Sequence, residues 1–186
     1  MGLSIFRLIG RLIKIPAKPE KKHWRDFEYF DPAWKERIRL MAGYIPEKSK
    51  SVIDIGCGKM WLKEWLPANC NYFGIDYISR GEGSHVYDLN NYEFPASCFD
   101  AAFISGCLEY ISDYDWLIRE VASKSESCIV SYCNFDNFSN LEERRSLGWV
   151  NHLKEADLVA LFSRYHMHLK QKDITSTANS IYVFCK

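Results

Sequence analysis

Val52-Ile53-Asp54-Ile55-Gly56-Cys57-Gly58-Lys59-Met60 reads as a buried strand that runs into a glycine turn and opens a helix. Two glycines in three positions let the backbone take conformations closed to other residues and let a ligand approach the main chain. In an open α/β sheet such a turn lies at the carboxyl ends of the strands, where ligands bind. Asp76 follows twenty residues after Gly56, at the end of the run Tyr72-Phe73-Gly74-Ile75. That is the place and spacing of an acid that accepts hydrogen bonds from a ribose diol, so turn and acid together point to an adenosine-containing cofactor. A dinucleotide site asks for a third glycine where helix and strand meet. Trp61 holds that position, and its indole argues against a close pyrophosphate.

Outward from the turn the pattern alternates. Asp31-Pro32 supplies an N-cap with proline at the first helical position, starting a helix that runs to about Tyr44, before Pro46. The strand over 51–55 is followed by a helix over 61–66, strands over 72–76, 85–87 and 101–105, a helix over 113–121 and a strand over 128–132. Ser112 with Asp115 three residues later reads as a capping box for the third of these helices. A helix over 153–165 and strands over 168–173 and 180–184 complete the chain. Strands separated by helices predict an α/β fold with a doubly wound, mostly parallel sheet and helices on both faces.

With 186 residues, 47% hydrophobic and 15% aromatic, the chain has one domain's length and enough apolar content for a packed core, which excludes disordered and collagen-like classes. The 24 basic and 24 acidic residues cancel, so no nucleic-acid partner is expected from charge. Residues 1–25 nevertheless carry seven basic residues and one acid, Glu20, ahead of a mildly acidic remainder. Between Leu3 and Ile15 the polar residues Ser4, Arg7, Arg11 and Lys14 form one stripe on an otherwise apolar helix, which Pro16 and Pro19 end. Residues 1–22 therefore read as a basic amphipathic leader and linker, and 23–186 as a single domain. The leader fits an interfacial helix on an anionic membrane surface, a face packed on the body or on a second subunit, or an organellar leader. The expected location is cytoplasmic and peripheral to the membrane; no oligomeric state is legible. Seven cysteines without a CxxC pair read as reduced thiols, mostly in the core, with no metal site.

Taken as a set, these stretches resemble the class I S-adenosylmethionine-dependent methyltransferases, of the small type 11 kind. The first motif of that family is similar to Asp54-Ile55-Gly56-Cys57-Gly58-Lys59-Met60, its second-strand end to Gly74-Ile75-Asp76-Tyr77 and its third-strand acid to Asp88-Leu89. Its fourth-strand block resembles Phe99 to Asp113, and Ile129-Val130-Ser131-Tyr132-Cys133-Asn134-Phe135 is similar to the MetW-like branch. The resemblance covers about residues 50–186 and implies a seven-stranded sheet whose last strand is inserted antiparallel. It implies S-adenosylmethionine as cofactor, with the backbone of Gly56 and Gly58 facing its amino-acid end, Asp54 and Cys57 in the same cofactor turn, and Asp76 on the ribose. Tyr77 and Leu89 would flank the adenine, Asp88 would reach its exocyclic amine, and Ser105 would close the set at the fourth strand. Met60 departs from the family's third glycine. That departure leaves open a non-catalytic S-adenosylmethionine or S-adenosylhomocysteine sensor, or a scaffold partner, and a nicotinamide oxidoreductase is a third class.

Methyl transfer is an in-line displacement that needs a positioned acceptor and, for a hydroxyl, a base. Glu109 and Tyr110, beyond the fourth strand, and His152, before the last helix, are the catalytic candidates. Asp54 also reads as a buried, turn-holding acid, Asp88 as a turn acid and His152 as a solvated turn residue. Arg144 and Arg145 fit an anion clamp, but Glu142 and Glu143 beside them favour a solvated mixed-charge helix. Trp149 reads as core or as the anchor of a lid. The acceptor, a small molecule or a glycan or lipid-linked group, would be covered by about 23–44 and 134–152.

Overall fold

The computed structural model describes residues 30–175 and 178–186. The leader assigned to 1–22 and the start of the domain at His23 lie outside the described residues.

Helix α1 (Pro32–Ala42) begins as its sequence dictates: Asp31 Oδ1 accepts the Ala33 N–H at 2.8 Å, and Pro32 sits where no N–H needs a partner. Strand β1 (Ser51–Ile55) pairs in parallel with β2 (Asn71–Asp76) on one side and β4 (Phe99–Ser105) on the other. Beyond β2 lies β3 (Ser84–Val86), and beyond β4 lies β5 (Ser125–Tyr132). Strand β7 (Ser180–Cys185) enters antiparallel between β5 and β6 (His168–Ile174), giving a seven-stranded order β3-β2-β1-β4-β5-β7-β6. The chain winds outward from β1 to β3 and then returns to the other side of β1, so the strand order reverses between β1 and β4. A crevice opens there, outside the carboxyl ends of the strands.

Two cores flank the sheet because successive strand residues face opposite ways. Ile53, Ile55, Ala102, Ile104, Val130 and Tyr132 pack with Leu117, Ile118 and Val121 of α2 (Tyr114–Lys124) and Leu158, Leu161 and Phe162 of α4 (Glu155–Arg164). Val52, Ala101, Phe103, Ile129 and Ile181 pack on the other face with Met41 of α1 and with Leu62. Strand β6 stays largely exposed, with Lys170, Gln171, Lys172 and Asp173 along it.

Two local expectations change. The segment after the glycine turn is a 3₁₀ helix, Trp61–Trp65, without a side-chain cap, and Pro67 stands two residues beyond its end. The cap of α2 is Asp113, which accepts the Trp116 N–H at 3.0 Å, rather than Ser112. Asp115 is thereby released to bind Arg164 Nη1 and the Tyr165 hydroxyl at 2.5 and 2.6 Å, tying α2 to the end of α4.

Candidate functional site

The glycine turn is held by its neighbour strand: the Gly56 and Cys57 N–H groups both donate to the Ile75 carbonyl, at 2.9 and 3.0 Å. Gly56 and Gly58 adopt φ of +73° and +48°, the left-handed region that glycine enters without strain. A Cβ on Gly58 would lie 2.4 Å from the Phe30 ring, so the turn is shaped for close approach as well. Met60, where the resembling family has glycine, takes φ +53° despite its side chain. Cys57 is buried in this turn, and burial pushes its thiol well above the ordinary range, leaving it an inert packing group.

Asp54 lies beneath the turn and accepts the Tyr72 hydroxyl at 2.7 Å. Gly74 makes that bond possible, because a Cβ there would meet the same hydroxyl at 2.7 Å. Burial raises the Asp54 carboxyl to about 7, against the opposing effect of the Tyr72 bond. Asp76, at the end of β2, joins the turn through Oδ2, which accepts the Gly58 N–H at 3.1 Å. The same oxygen accepts Arg80 Nε at 2.9 Å, while Oδ1 accepts Arg80 Nη2 at a longer 3.4 Å. The side chains of this pair are 3% and 6% exposed. The Arg80 guanidinium also lies between the Phe30 and Tyr77 rings, 5.5 and 5.8 Å from their centroids. Asp88 caps the turn at Leu89–Asn91, taking the Asn90 N–H at 3.0 Å and Asn91 Nδ2 at 3.1 Å, with Leu89 buried beside it.

Across the crevice, Ser105 ends β4 and accepts Arg37 Nε at 3.2 Å. The Arg37 guanidinium lies close against Gly106, where a Cβ would meet Nη2 at 2.6 Å. Glu109 is 1% exposed; its Oε1 accepts the Cys133 N–H at 2.9 Å, and its Oε2 is buried with no hydrogen bond among the described residues. Burial raises this carboxyl, opposed by the Cys133 bond and by the charges of Arg37 and Arg144. The Tyr110 hydroxyl accepts the Trp149 indole N–H at 3.0 Å, and burial holds the phenol protonated well above its usual range.

Helix α3 (Leu141–Ser146) is the solvated mixed-charge helix its sequence reads as at the exposed Glu142, Glu143 and Arg145, and departs from that reading at Arg144, which is fully buried. Its donors go to His152 Nδ1 at 3.0 Å and to the carbonyls of Cys133, Phe138, Asn134 and Asn151 at 2.9 to 3.5 Å. Those carbonyls cluster only in the folded loop after β5, so neighbouring residues in sequence give no sign of them. Asn151 is a second anchor: its Oδ1 accepts the Tyr132 hydroxyl, and its Nδ2 donates to the Leu108 and Ile111 carbonyls. Arg144, bonded to His152 and to the Cys133 carbonyl, and Asn151, bonded to the Leu108 and Ile111 carbonyls on either side of Glu109 and Tyr110, tie the segments that carry the three candidates to one another. Partial burial and the cations Arg144 and Arg145 lower the His152 pKa, keeping the ring neutral at pH 7.

A family model described as a methyltransferase domain matches residues 23–170. No curated protein matches the chain by sequence. Solved structures share the fold at low identity. A putative O-methyltransferase from Nostoc punctiforme matches with TM-score 0.70 at 14% identity, over 98% of this chain and 67% of that one. Magnesium protoporphyrin IX methyltransferase from Synechocystis, with bound SAM, matches with TM-score 0.65 at 13% identity, over 100% and 98%. The 1,6-didemethyltoxoflavin-N1-methyltransferase of Burkholderia thailandensis, with that compound and S-adenosylhomocysteine bound, matches with TM-score 0.64 at 14% identity, over 87% and 81%.

Proposed function

We propose, from the premise that this chain belongs to the methyltransferase-domain family and uses S-adenosylmethionine, that it methylates a small-molecule, glycan or lipid-linked acceptor over the carboxyl ends of β4 and β5. The observation that carries this reading is the junction of turn and acid, where Gly58 N–H meets Asp76 Oδ2 at the point of strand reversal. The residues present fit the cofactor there. The backbone of Gly56, Cys57 and Gly58 would hold its amino-acid end, Tyr77, Asp88 and Leu89 its adenine, and Ser105 the side towards β4. Asp76 would accept from the ribose, as its place at the end of β2 supports. Its Oδ2 already carries two donors, which leaves Oδ1 as the oxygen offered to a ribose hydroxyl.

When bound, the cofactor supplies a methyl group on a positively charged sulfur. The chain supplies position, which asks for an acceptor atom roughly 3–3.5 Å from that methyl, and exclusion of water by the wall of Trp149, Tyr110 and Asn151. Of the three catalytic candidates, Glu109 alone keeps an oxygen with no hydrogen bond in the described structure, and its raised pKa suits a proton acceptor. Tyr110 stays a neutral phenol. His152 takes the Arg144 N–H at Nδ1, so its neutral ring carries its proton at Nε2 and orients an acceptor as a donor.

The basic amphipathic pattern of residues 3–15 supports an acceptor near a membrane, such as a lipid-linked sugar. The test is transfer of labelled methyl from S-adenosylmethionine to soluble and membrane-lipid fractions of the source cells. Glu109→Gln, which keeps the bond to Cys133, is expected to lower turnover at least about tenfold while S-adenosylhomocysteine binding changes less. Cofactor binding without an accepting fraction would overturn the enzymatic reading.

A further inference from the structure

The crevice holds one cation whose chemistry nothing described so far uses. Arg37 is 9% exposed, yet its hydrogen bond among the described residues is the one from Nε to Ser105 Oγ. Among the described residues it forms no ion pair; Glu109, and more weakly Asp31, act on it only through space. The contrast with the two other buried guanidiniums is direct. Arg80 is paired with Asp76, and Arg144 spends its donors on four carbonyls and a histidine ring. A buried charge without such partners is costly, and desolvation pulls the Arg37 pKa down accordingly. Both η nitrogens remain, four N–H donors in a planar fork, next to Gly106 at the carboxyl end of β4. The fork geometry matches a carboxylate bidentately. Gly106, at φ +62°, is the residue that admits it, since any side chain there would displace the guanidinium.

We propose that Arg37 is the oxyanion-binding residue of the crevice and takes a carboxylate between its η nitrogens, with Glu109 as the distant countercharge that keeps it in place. The inference rests on the methyltransferase reading, in which two molecules can bring that group: the cofactor, through its amino-acid end, or an anionic acceptor.

The experiment compares calorimetric binding of S-adenosylhomocysteine and of 5′-methylthioadenosine, which lacks the amino-acid end, to the wild-type chain, Arg37→Met and Arg37→Lys. It is paired with thermal melts of S-adenosylhomocysteine-saturated protein in inorganic phosphate. If the carboxylate is the cofactor's, Arg37→Met weakens S-adenosylhomocysteine by about tenfold to a hundredfold, leaves 5′-methylthioadenosine unchanged, and Arg37→Lys recovers part of the loss. If it is the acceptor's, both nucleosides bind as before, and phosphate raises the melting temperature of the saturated wild type but not of saturated Arg37→Met. Equal weakening of both nucleosides, or no Arg37-dependent response in either arm, overturns the proposal. Retained 5′-methylthioadenosine binding reports that the variants fold. Failure of the wild type to bind either nucleoside overturns the cofactor reading itself, a result distinct from one in which the wild type binds and Arg37 proves indifferent.

Discussion

The two walls of the crevice handle buried charge in opposite ways. On the β1–β2 side each acid is settled locally: Asp54 by the Tyr72 hydroxyl, Asp76 by Arg80 and the Gly58 amide. On the β4–β5 side, among the described residues, Glu109 keeps an unbonded oxygen and Arg37 an open fork, while Arg144 is satisfied by carbonyls without a countercharge of its own. The first wall is a finished framework that a ligand can only borrow from. The second is polarised and incomplete, as a surface must be if it is to gain from contact with a reacting group.

The comparison is most exposed to Asp76→Ala. Removing one partner of an ion pair buried this deeply strands Arg80 and should cost about 3–5 kcal/mol, measured by urea unfolding. Asp76→Ala combined with Arg80→Met should recover most of it, so loss of cofactor affinity in the single variant reports the framework as well as the ribose contact. Additive losses in the double variant would break the idea of a finished wall.

Asp54 gives the next effect, through pH. Its folded carboxyl, near 7, stands above the unfolded value of about 3.9, so between those limits the unfolded chain releases a proton that the folded one keeps. Its contribution is full below about pH 4 and is lost as pH rises to 7, at up to about 1.4 kcal/mol per pH unit. Asp54→Asn retains an acceptor for Tyr72 and does not ionise. Relative to wild type it should gain stability across that window, reaching about 4 kcal/mol by pH 8 in unfolding titrations. A difference that does not move with pH would mean that Asp54 is better solvated than its burial implies.

The smallest effect concerns the turn. Met60→Gly removes a side chain from a left-handed position, offset by the greater freedom of glycine in the unfolded chain, and should raise stability by about 0.5–1 kcal/mol. Turnover should stay within about tenfold in a methyl-transfer assay. A larger gain in turnover would place Met60 on the reaction path and blur the line between the two walls.

The framework wall was legible because its signals are local. The run Val52 to Gly58, the spacing to Asp76 and the Asp31-Pro32 cap each depend on a few adjacent residues, and β1 runs over 51–55 as its pattern predicts. The fourth-strand neighbourhood was legible in part: Glu109, Tyr110 and His152 stand out as candidates, but the groups that hold them do not. Arg144 sits among Glu142, Glu143 and Arg145, and no periodicity distinguishes the one position of a six-residue helix that turns inward. Arg37 and Arg80 look like ordinary helix and loop cations, since their burial depends on Gly106 and on the Phe30 and Tyr77 rings respectively. Ser112 lost the cap to Asp113 by a single residue, a choice that the Arg164 and Tyr165 contacts to Asp115 decide from a distance.

The margins of the sheet have a consequence for crowded solution. One border strand, β3, is three residues long, and the other, β6, presents Lys170 and Lys172 along an exposed ladder. Short and lysine-bearing borders discourage another molecule from adding a strand, the route by which open sheets aggregate. Self-association by extension of the ladder is therefore disfavoured at both ends, and a second copy would have to meet this one through its helices or loops.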